Sequence, residues 1–459
     1  MDCSFETRKR ELVRECIVED GLFAKSLKRL DEFMEPFVAQ LPRRQQRQHA
    51  TRVVSGLCSD LERKNAESIA YHFGMPRKQI QHFIGESEWD DEPFRKELAH
   101  QIAAQLSEVD GVLVFDPSAF PKSGKQSVGV ARQWCGRLGK VDNCQVGVYL
   151  GYVSGRGHAL VDGDLYLPQE WTKDKARMTK AGIPKHKQKY RTRHEMCLDL
   201  LDQHGQCLPH QWITGDDELG RPIEFRRKLQ RRGEQYLLAV PCNTKFVDLE
   251  TEQPEHTETD RKKSQRAVRV DEWTAEQPDD GWQRIDVRDG EKGPLVIELL
   301  KRRVETGHRS KGGVAVETLV VIRYRDRDKG IVKHDYYMSN ADVTTTHEEF
   351  GRASKAAHRV EECFDRGKGE AGMADYEVRN WLGWQHHQTL SLLASWFLNV
   401  ETRRAEKKDT GDDVQPGPSQ HRVDHSYSVS MRFTPRRQSP NNTAFEEKPN
   451  RQTVSLATT

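Results

Sequence analysis

The chain has 459 residues, 35% of them hydrophobic and 31% charged, with a mean hydropathy of −0.84. That composition excludes a membrane-embedded or purely fibrous protein, and the length suggests roughly three domain-sized units with apolar residues gathered into local cores. The formal charge is only +2, from 73 Lys and Arg against 71 Asp and Glu, so affinity for a polyanion has to come from local placement of charge.

The apolar stretch Leu390 to Val400 falls well short of the roughly 20 residues that span a bilayer, so no membrane partner is expected. The amino terminus, MDCSFETRKRELVREC, alternates charges and has no apolar region before a small-residue cleavage site, which points to a cytoplasmic protein. Nine scattered cysteines without a CxxC pair argue against both a zinc module and a disulfide framework.

Residues 1–105 are expected to form a helical domain, with Leu27, Leu30, Phe33 and Phe37 at three- and four-residue spacing and a basic cluster at Arg43, Arg44, Arg47 and Arg52. Within it, a helix pattern from Ala66 to Phe73 breaks at Gly74, and Pro76 is placed to open a second helix through Ile84. The 66–84 spacing resembles a helix-turn-helix, in which Arg77, Lys78, Gln79 and Gln81 would reach phosphates and base edges. A helical hairpin with a solvated charged face fits the segment equally well.

From about 106 to 245 the pattern becomes strand-like, in "GVLVFD", "VGVYLGYV", "ALVDGDLYL", "QWITGDD" and "QYLLAVPCNT", with the helix-like "PIEFRRKLQRRG" before the last; that order predicts a mixed α/β sheet. Residues 246–345 predict a β-rich insertion, in which Val314, Val316, Thr318, Val320, Ile322 and Tyr324 alternate on one face. Residues 346–401 return to a helical period, and 402–459, rich in Pro, Ser and charge, are expected to be disordered.

Two acids close apolar runs, Asp116 before Pro117 and Asp216 before Asp217, and strand ends in α/β sheets are where ligands bind. A third, Glu361, precedes Lys368 by seven residues, which puts both on nearly one helix face. Three carboxylates at one point suit Mg²⁺ or Mn²⁺, and a pair of such ions can drive phosphodiester chemistry. Taken singly, a strand-end Asp more often caps a turn or pairs with an Arg; Asp142, Asp162, Asp164, Asp217 and Glu362 are assigned mostly to that role.

The stretch from "VLVFDPSAFPKSGKQ" to "VGVYLGYVS", together with "WITGDDELGR", "AVPCNT" and "RVEECFDRGKGEAGMADYEVRNW", resembles insertion-sequence DNA transposases of the DDE superfamily, in the branch with a β-rich insertion between the second Asp and the Glu. That resemblance implies a ribonuclease H-like mixed sheet core interrupted by the insertion, with Asp116, Asp216 and Glu361 as the catalytic, metal-binding acids. Lys368 stands where related transposases carry a Lys, whereas Ser354 and Ala357 stand where they often carry Tyr and Arg. It also implies DNA partners, namely the element's terminal inverted repeats and a target, a homodimer in the synaptic complex, and a nucleoid-associated location. Lys122, Lys125, Arg132, Arg137 and Lys140 crowd the loops after Asp116, where a phosphate backbone would pass, and the resemblance, since related transposases stack an insertion Trp on a flipped base, implies that role for Trp273 or Trp282. A solvated hairpin face and a Trp closing a small β core are the plainer alternatives. A decayed transposase that only binds DNA, and a nuclease of the same core without joining activity, are the rival functions.

Overall fold

The computed structural model describes residues 25–250, 267–290, 293–308, 313–326 and 331–409. Five helices come first: α1 (Ser26–Val38), α2 (Arg44–Leu57), α3 (Ala66–His72), α4 (Arg77–Gly85) and α5 (Glu92–Leu106). Leu30, Met34 and Phe37 on α1, and Ala50, Val53, Val54 and Leu57 on α2, bury the apolar stripes that their spacing announces. Asn65 caps α3 by accepting from the Ser68 N–H at 2.8 Å, Gly74 turns the chain at φ 63°, and Pro76 leads into α4. These helices share one continuous core with the sheet and the last helix: His386 stacks on Trp89 at 3.7 Å, and the Arg29 guanidinium donates to Glu401 at 2.7 Å.

The strands are β1 (Val112–Pro121), β2 (Ala131–Cys135), β3 (Lys140–Ser154), β4 (Gly157–Leu165), β5 (Trp212–Gly215), β6 (Tyr236–Ala239), β7 (Lys245–Asp248), β8 (Val268–Arg269), β9 (Gln283–Gly290), β10 (Gly293–His308), β11 (Gly313–Asp326) and β12 (Ile331–Ser339). Helices α6 (Arg193–His204) and α7 (Ile223–Arg231) flank β5, and α8 (His347–Glu370) and α9 (Trp381–Asp409) follow β12. The expected mixed sheet is present. β4, β3 and β1 are antiparallel neighbours, and β1, β5 and β6 run parallel.

β12 then pairs antiparallel with β6, Tyr337 opposite Ala239, so β12, β11, β10 and β7 extend the same sheet. The one-face alternation expected for β11 is only half of its pattern. Val320 and Ile322 enter the main core, while Leu319 and Val321 on the opposite face enter a second core with Phe246, Val270, Trp273 and Met338. Both parities are apolar because both faces are covered. A buried polar cluster ties this extension to the parallel strands: the Arg226 guanidinium on α7 donates to Glu317 on β11 at 2.7 and 2.9 Å, and the Tyr236 hydroxyl donates to the same carboxylate at 2.6 Å.

α9 continues to Asp409, past the boundary expected near 402; Thr402 is still buried and Arg403, Arg404 and Ala405 are half-buried. Residues 410–459 lie outside the described residues, as does most of the polar stretch after Leu249. Among the described residues no helix is long and apolar enough to cross a membrane.

Candidate active site

Asp116 does not end its strand as the sequence suggests. β1 continues through Pro117 to Pro121 because β3 keeps pairing with it, Asp116 opposite Tyr149 and Pro117 opposite Val148. The parallel partner stops first, with Phe115 opposite Gly215, so Asp116 sits level with the carboxyl end of β5 and next to Asp216. Proline is tolerated there because beyond Phe115 that edge of β1 has no partner from β5. Asp216 caps the short turn of helix after β5, accepting from the Leu219 N–H at 3.0 Å, whereas Asp217 is exposed and faces Arg221 at 3.8 Å.

α8 lies across the face of β1 that carries Asp116. Ser118, two residues on and therefore on the same face, accepts a hydrogen bond from the Lys368 ammonium at 2.8 Å. Tyr149, opposite Asp116, packs edge-on against Phe364 of α8 at 5.1 Å and donates to Gln388 of α9 at 2.8 Å. The close approach depends on Gly151 of β3: a Cβ there would lie 2.5 Å from Val360 Cγ2, one residue before Glu361. Gly151→Val is therefore expected to lift α8 from the sheet at a cost of about 1–3 kcal/mol. It should also reduce any activity that needs Glu361 and Lys368 beside Asp116, which thermal melts and activity assays on the same preparation would show.

Burial raises the Asp116 carboxyl to about 8, helped by the nearby Asp216 and Glu361 charges and opposed by Lys368. Asp216 is raised to about 6, again chiefly by burial. The half-buried Lys368 ammonium is lowered by desolvation, partly offset by Asp116. A carboxyl raised in the folded state is ionised more readily in the unfolded one, so its penalty is absent below about pH 4 and grows as pH rises toward 8. Asp116→Asn is accordingly expected to be more stable than the parent chain at pH 8–9 in a chelator, with the difference shrinking toward pH 4 in denaturant titrations. A constant difference across that range would refute burial of the carboxylate as its origin.

The two candidate glutamates on α8 share His358, 3.2 Å from Glu361 and 3.9 Å from Glu362, but otherwise face different neighbours. Glu361 is 66% exposed, is held by His358 at 3.2 Å, and is the one whose charge reaches Asp116. Glu362 turns toward Arg359 at 3.2 Å and His158 at 3.5 Å. The acids fit a hard divalent cation chemically: the donors are all oxygen, and the Asp116 carboxylate has no hydrogen-bond or ion-pair partner among the described residues. Yet among the described residues no three His, Cys, Asp or Glu side chains are drawn together closely enough to hold an ion, and Glu361 is the acid engaged elsewhere.

Of the basic residues expected to meet DNA, Lys125 and Arg132 are exposed beside the site, but Lys122 is not free: it lies 3.4 Å from the centre of the Tyr376 ring and donates to the Tyr376 carbonyl at 3.0 Å. Burial lowers its ammonium to about 8. Arg77, Lys78 and Gln79 lie exposed on the first turn of α4, with Arg77 paired to Glu67 at 3.0 Å. The stacking role expected of Trp273 does not fit its surroundings. Only 7% exposed, the ring fills the second core against Phe246, and its N–H donates to Asp248 at 3.2 Å. Trp282 is half-buried under Arg323, whose guanidinium lies 4.0 Å from its ring.

The aromatic that sequence reasoning missed is Trp134, 57% exposed on β2 with Arg132 and Arg137 nearby and Val141 opposite it, also exposed. Its exposure follows from the alternation of β2 in the sheet, with Ala131 and Cys135 buried and Arg132 and Trp134 exposed, a pattern set by pairing with β3 and not announced by the residues themselves. The neighbouring Gln133 lies 3.4 Å from Arg193, which pairs with Glu218 at 2.5 Å just beyond Asp216.

Two carboxylates level with one another on the adjacent parallel strands β1 and β5, backed by a helix that carries a further acid and a lysine, make up the candidate active site. A family model described as DDE superfamily endonuclease matches residues 36–294, more than half of the chain, and the chain belongs to that family. The match includes Asp116 and Asp216 and stops before Glu361. The probable transposase for insertion sequence element IS701 of Microchaete diplosiphon is 29% identical over 180 residues, 39% of this chain and 44% of that protein, so the chain spans less than half the length of this curated relative.

Proposed function

We propose that the protein is an insertion-sequence DNA transposase that binds the terminal inverted repeats of its element, cuts at the ends and joins the freed 3′-hydroxyls to target DNA. The observation that carries this is the adjacency of Asp116 and Asp216 on β1 and β5, with the Glu361–Lys368 face of α8 laid over β1. The order of β4, β3, β1, β5 and β6, with only the last three parallel, supports a ribonuclease H-like core, and the likeness to the IS701 protein supports the transposase reading over a generic nuclease.

Asp116, Asp216 and Glu361 would hold Mg²⁺ or Mn²⁺, with Glu361 released from His358. When bound, such ions supply Lewis-acid activation of the attacking oxygen and stabilisation of the leaving one. Lys368, steadied by Ser118 and by the Phe120 and Phe364 rings, sets a positive charge beside Asp116 where a phosphate oxygen would approach. Trp134, in place of the buried Trp273, takes the base-stacking role, and α3–α4 read the repeat through Arg77, Lys78 and Gln79. Residues 1–105 then serve recognition, 106–245 with 346–401 catalysis, and 246–345 are the insertion; two element ends call for a homodimer in the synaptic complex, acting at the nucleoid.

The test is incubation with labelled element-end duplex, Mg²⁺ and a supercoiled target. End-specific nicks with 3′-hydroxyl products and joined target are expected. Cutting of generic branched DNA without joining would favour a plain nuclease, and salt-sensitive binding without cutting a repressor.

A further inference from the structure

Between β4 and α6 the segment 173–193 carries nine Lys and Arg against one Asp, a formal +8 in a chain whose total is +2. The remainder of the protein is therefore net acidic, and this segment holds the excess positive charge. It is also built to stay in place. Trp171, Met178, Ala181 and Ile183 are buried beneath it, the Trp171 N–H donates to the Val130 carbonyl at 2.8 Å, and the Ala181 carbonyl accepts from the Trp381 N–H at 2.8 Å.

Its cations divide into two sets. Lys187 and Arg191 are used internally, on Asp164 at 3.1 and 2.8 Å, as are Arg193 on Glu218 and Arg177, 3.7 Å from the Trp171 ring and 4.0 Å from Glu170. Lys173, Lys175, Lys180, Lys185 and Lys189 are exposed, and none has a carboxylate partner among the described residues. A row of like charges left unpaired on a fixed framework repels itself, and a polyanion is the partner that relieves it. The row is continuous with the site: Arg177 donates to the Lys125 carbonyl at 2.9 Å, joining it to the loop after β1, and Arg193 lies beside Asp216.

We infer that the 173–189 lysines form a docking ledge for the phosphate backbone of duplex DNA, leading it past Lys125 toward Asp116 and Asp216. This rests on the transposase reading for the identity of the polyanion, and adds a surface distinct from α3–α4.

The experiment uses the full chain with Lys173, Lys175, Lys180, Lys185 and Lys189 all changed to Gln, and a fluorescent duplex of random sequence titrated across a range of salt. The slope of log affinity against log salt is expected to become shallower by about three to five, near 0.9 for each phosphate no longer neutralised, and affinity at ~0.1 M salt to fall at least roughly tenfold. A triple variant, Lys180→Gln with Lys185→Gln and Lys189→Gln, is expected to make the slope shallower by about two to three and serves should the fivefold one melt early. An unchanged slope overturns the ledge, and leaves the transposase reading standing if the parent chain still cuts element ends. An equal fall on changing Lys28, Lys96, Lys245 and Lys333 to Gln also overturns it, since net charge alone would then be acting. If the parent chain binds no duplex at all, ledge and reading fall together.

Discussion

Asp116→Ala is expected to lower the rate of cutting at element ends by at least about a thousandfold, some 4 kcal/mol of barrier, while binding of the same DNA persists. Asp216→Ala and Glu361→Ala should behave alike. The reason is positional: Asp116 and Asp216 sit side by side on neighbouring strands, and Lys368 anchors α8 over that point through Ser118. Asp217→Ala and Glu362→Ala act as internal controls, because Asp217 faces solvent and Arg221, and Glu362 faces Arg359 and His158. Gel analysis of end-labelled DNA would decide it. If Glu362→Ala stops cutting and Glu361→Ala does not, the third acid has been misassigned.

The second large effect concerns folding. Glu317→Ala is expected to destabilise the protein by about 3–5 kcal/mol, because it leaves the Arg226 guanidinium buried without its counter-charge and strips the acceptor from Tyr236. Replacing both ends of the pair, Arg226→Met with Glu317→Leu, should recover much of that loss, since the cost lies in the unpaired charge more than in the missing pair. Denaturant titration of the two variants beside the parent chain measures both quantities. A loss below about 1 kcal/mol for Glu317→Ala would mean that apolar packing alone holds β11 against α7.

The elements that carry the candidate site were legible in the chain because their signals are local. Apolar runs located β1 and β5, and a seven-residue spacing placed Glu361 and Lys368 on one helix face. What stayed hidden was decided by partners distant in sequence. Pro117 suggested a strand end, and only the pairing of β1 with β3 carries the strand past it. Trp273 and Trp134 differ little in local context, yet the fold over 246–345 buries one and the β2–β3 hairpin exposes the other. Lys122 stood in a basic loop, and nothing near it announced that Tyr376, more than 250 residues away, would claim its ammonium. The Arg226–Glu317 pair joins residues 91 apart, beyond what any periodicity reports.

The seam where Leu237–Ala239 meets Tyr337–Ser339 has a mechanical meaning. An appendage hung on a flexible tether could swivel and search, but one stitched edge to edge into the sheet that bears Asp116 and Asp216 cannot turn independently of them. Any surface presented by β9–β12 is thereby kept at a fixed offset from the two aspartates, like the jaw of a calliper, so a ligand long enough to lie across both would meet them at a spacing set by the protein's own backbone.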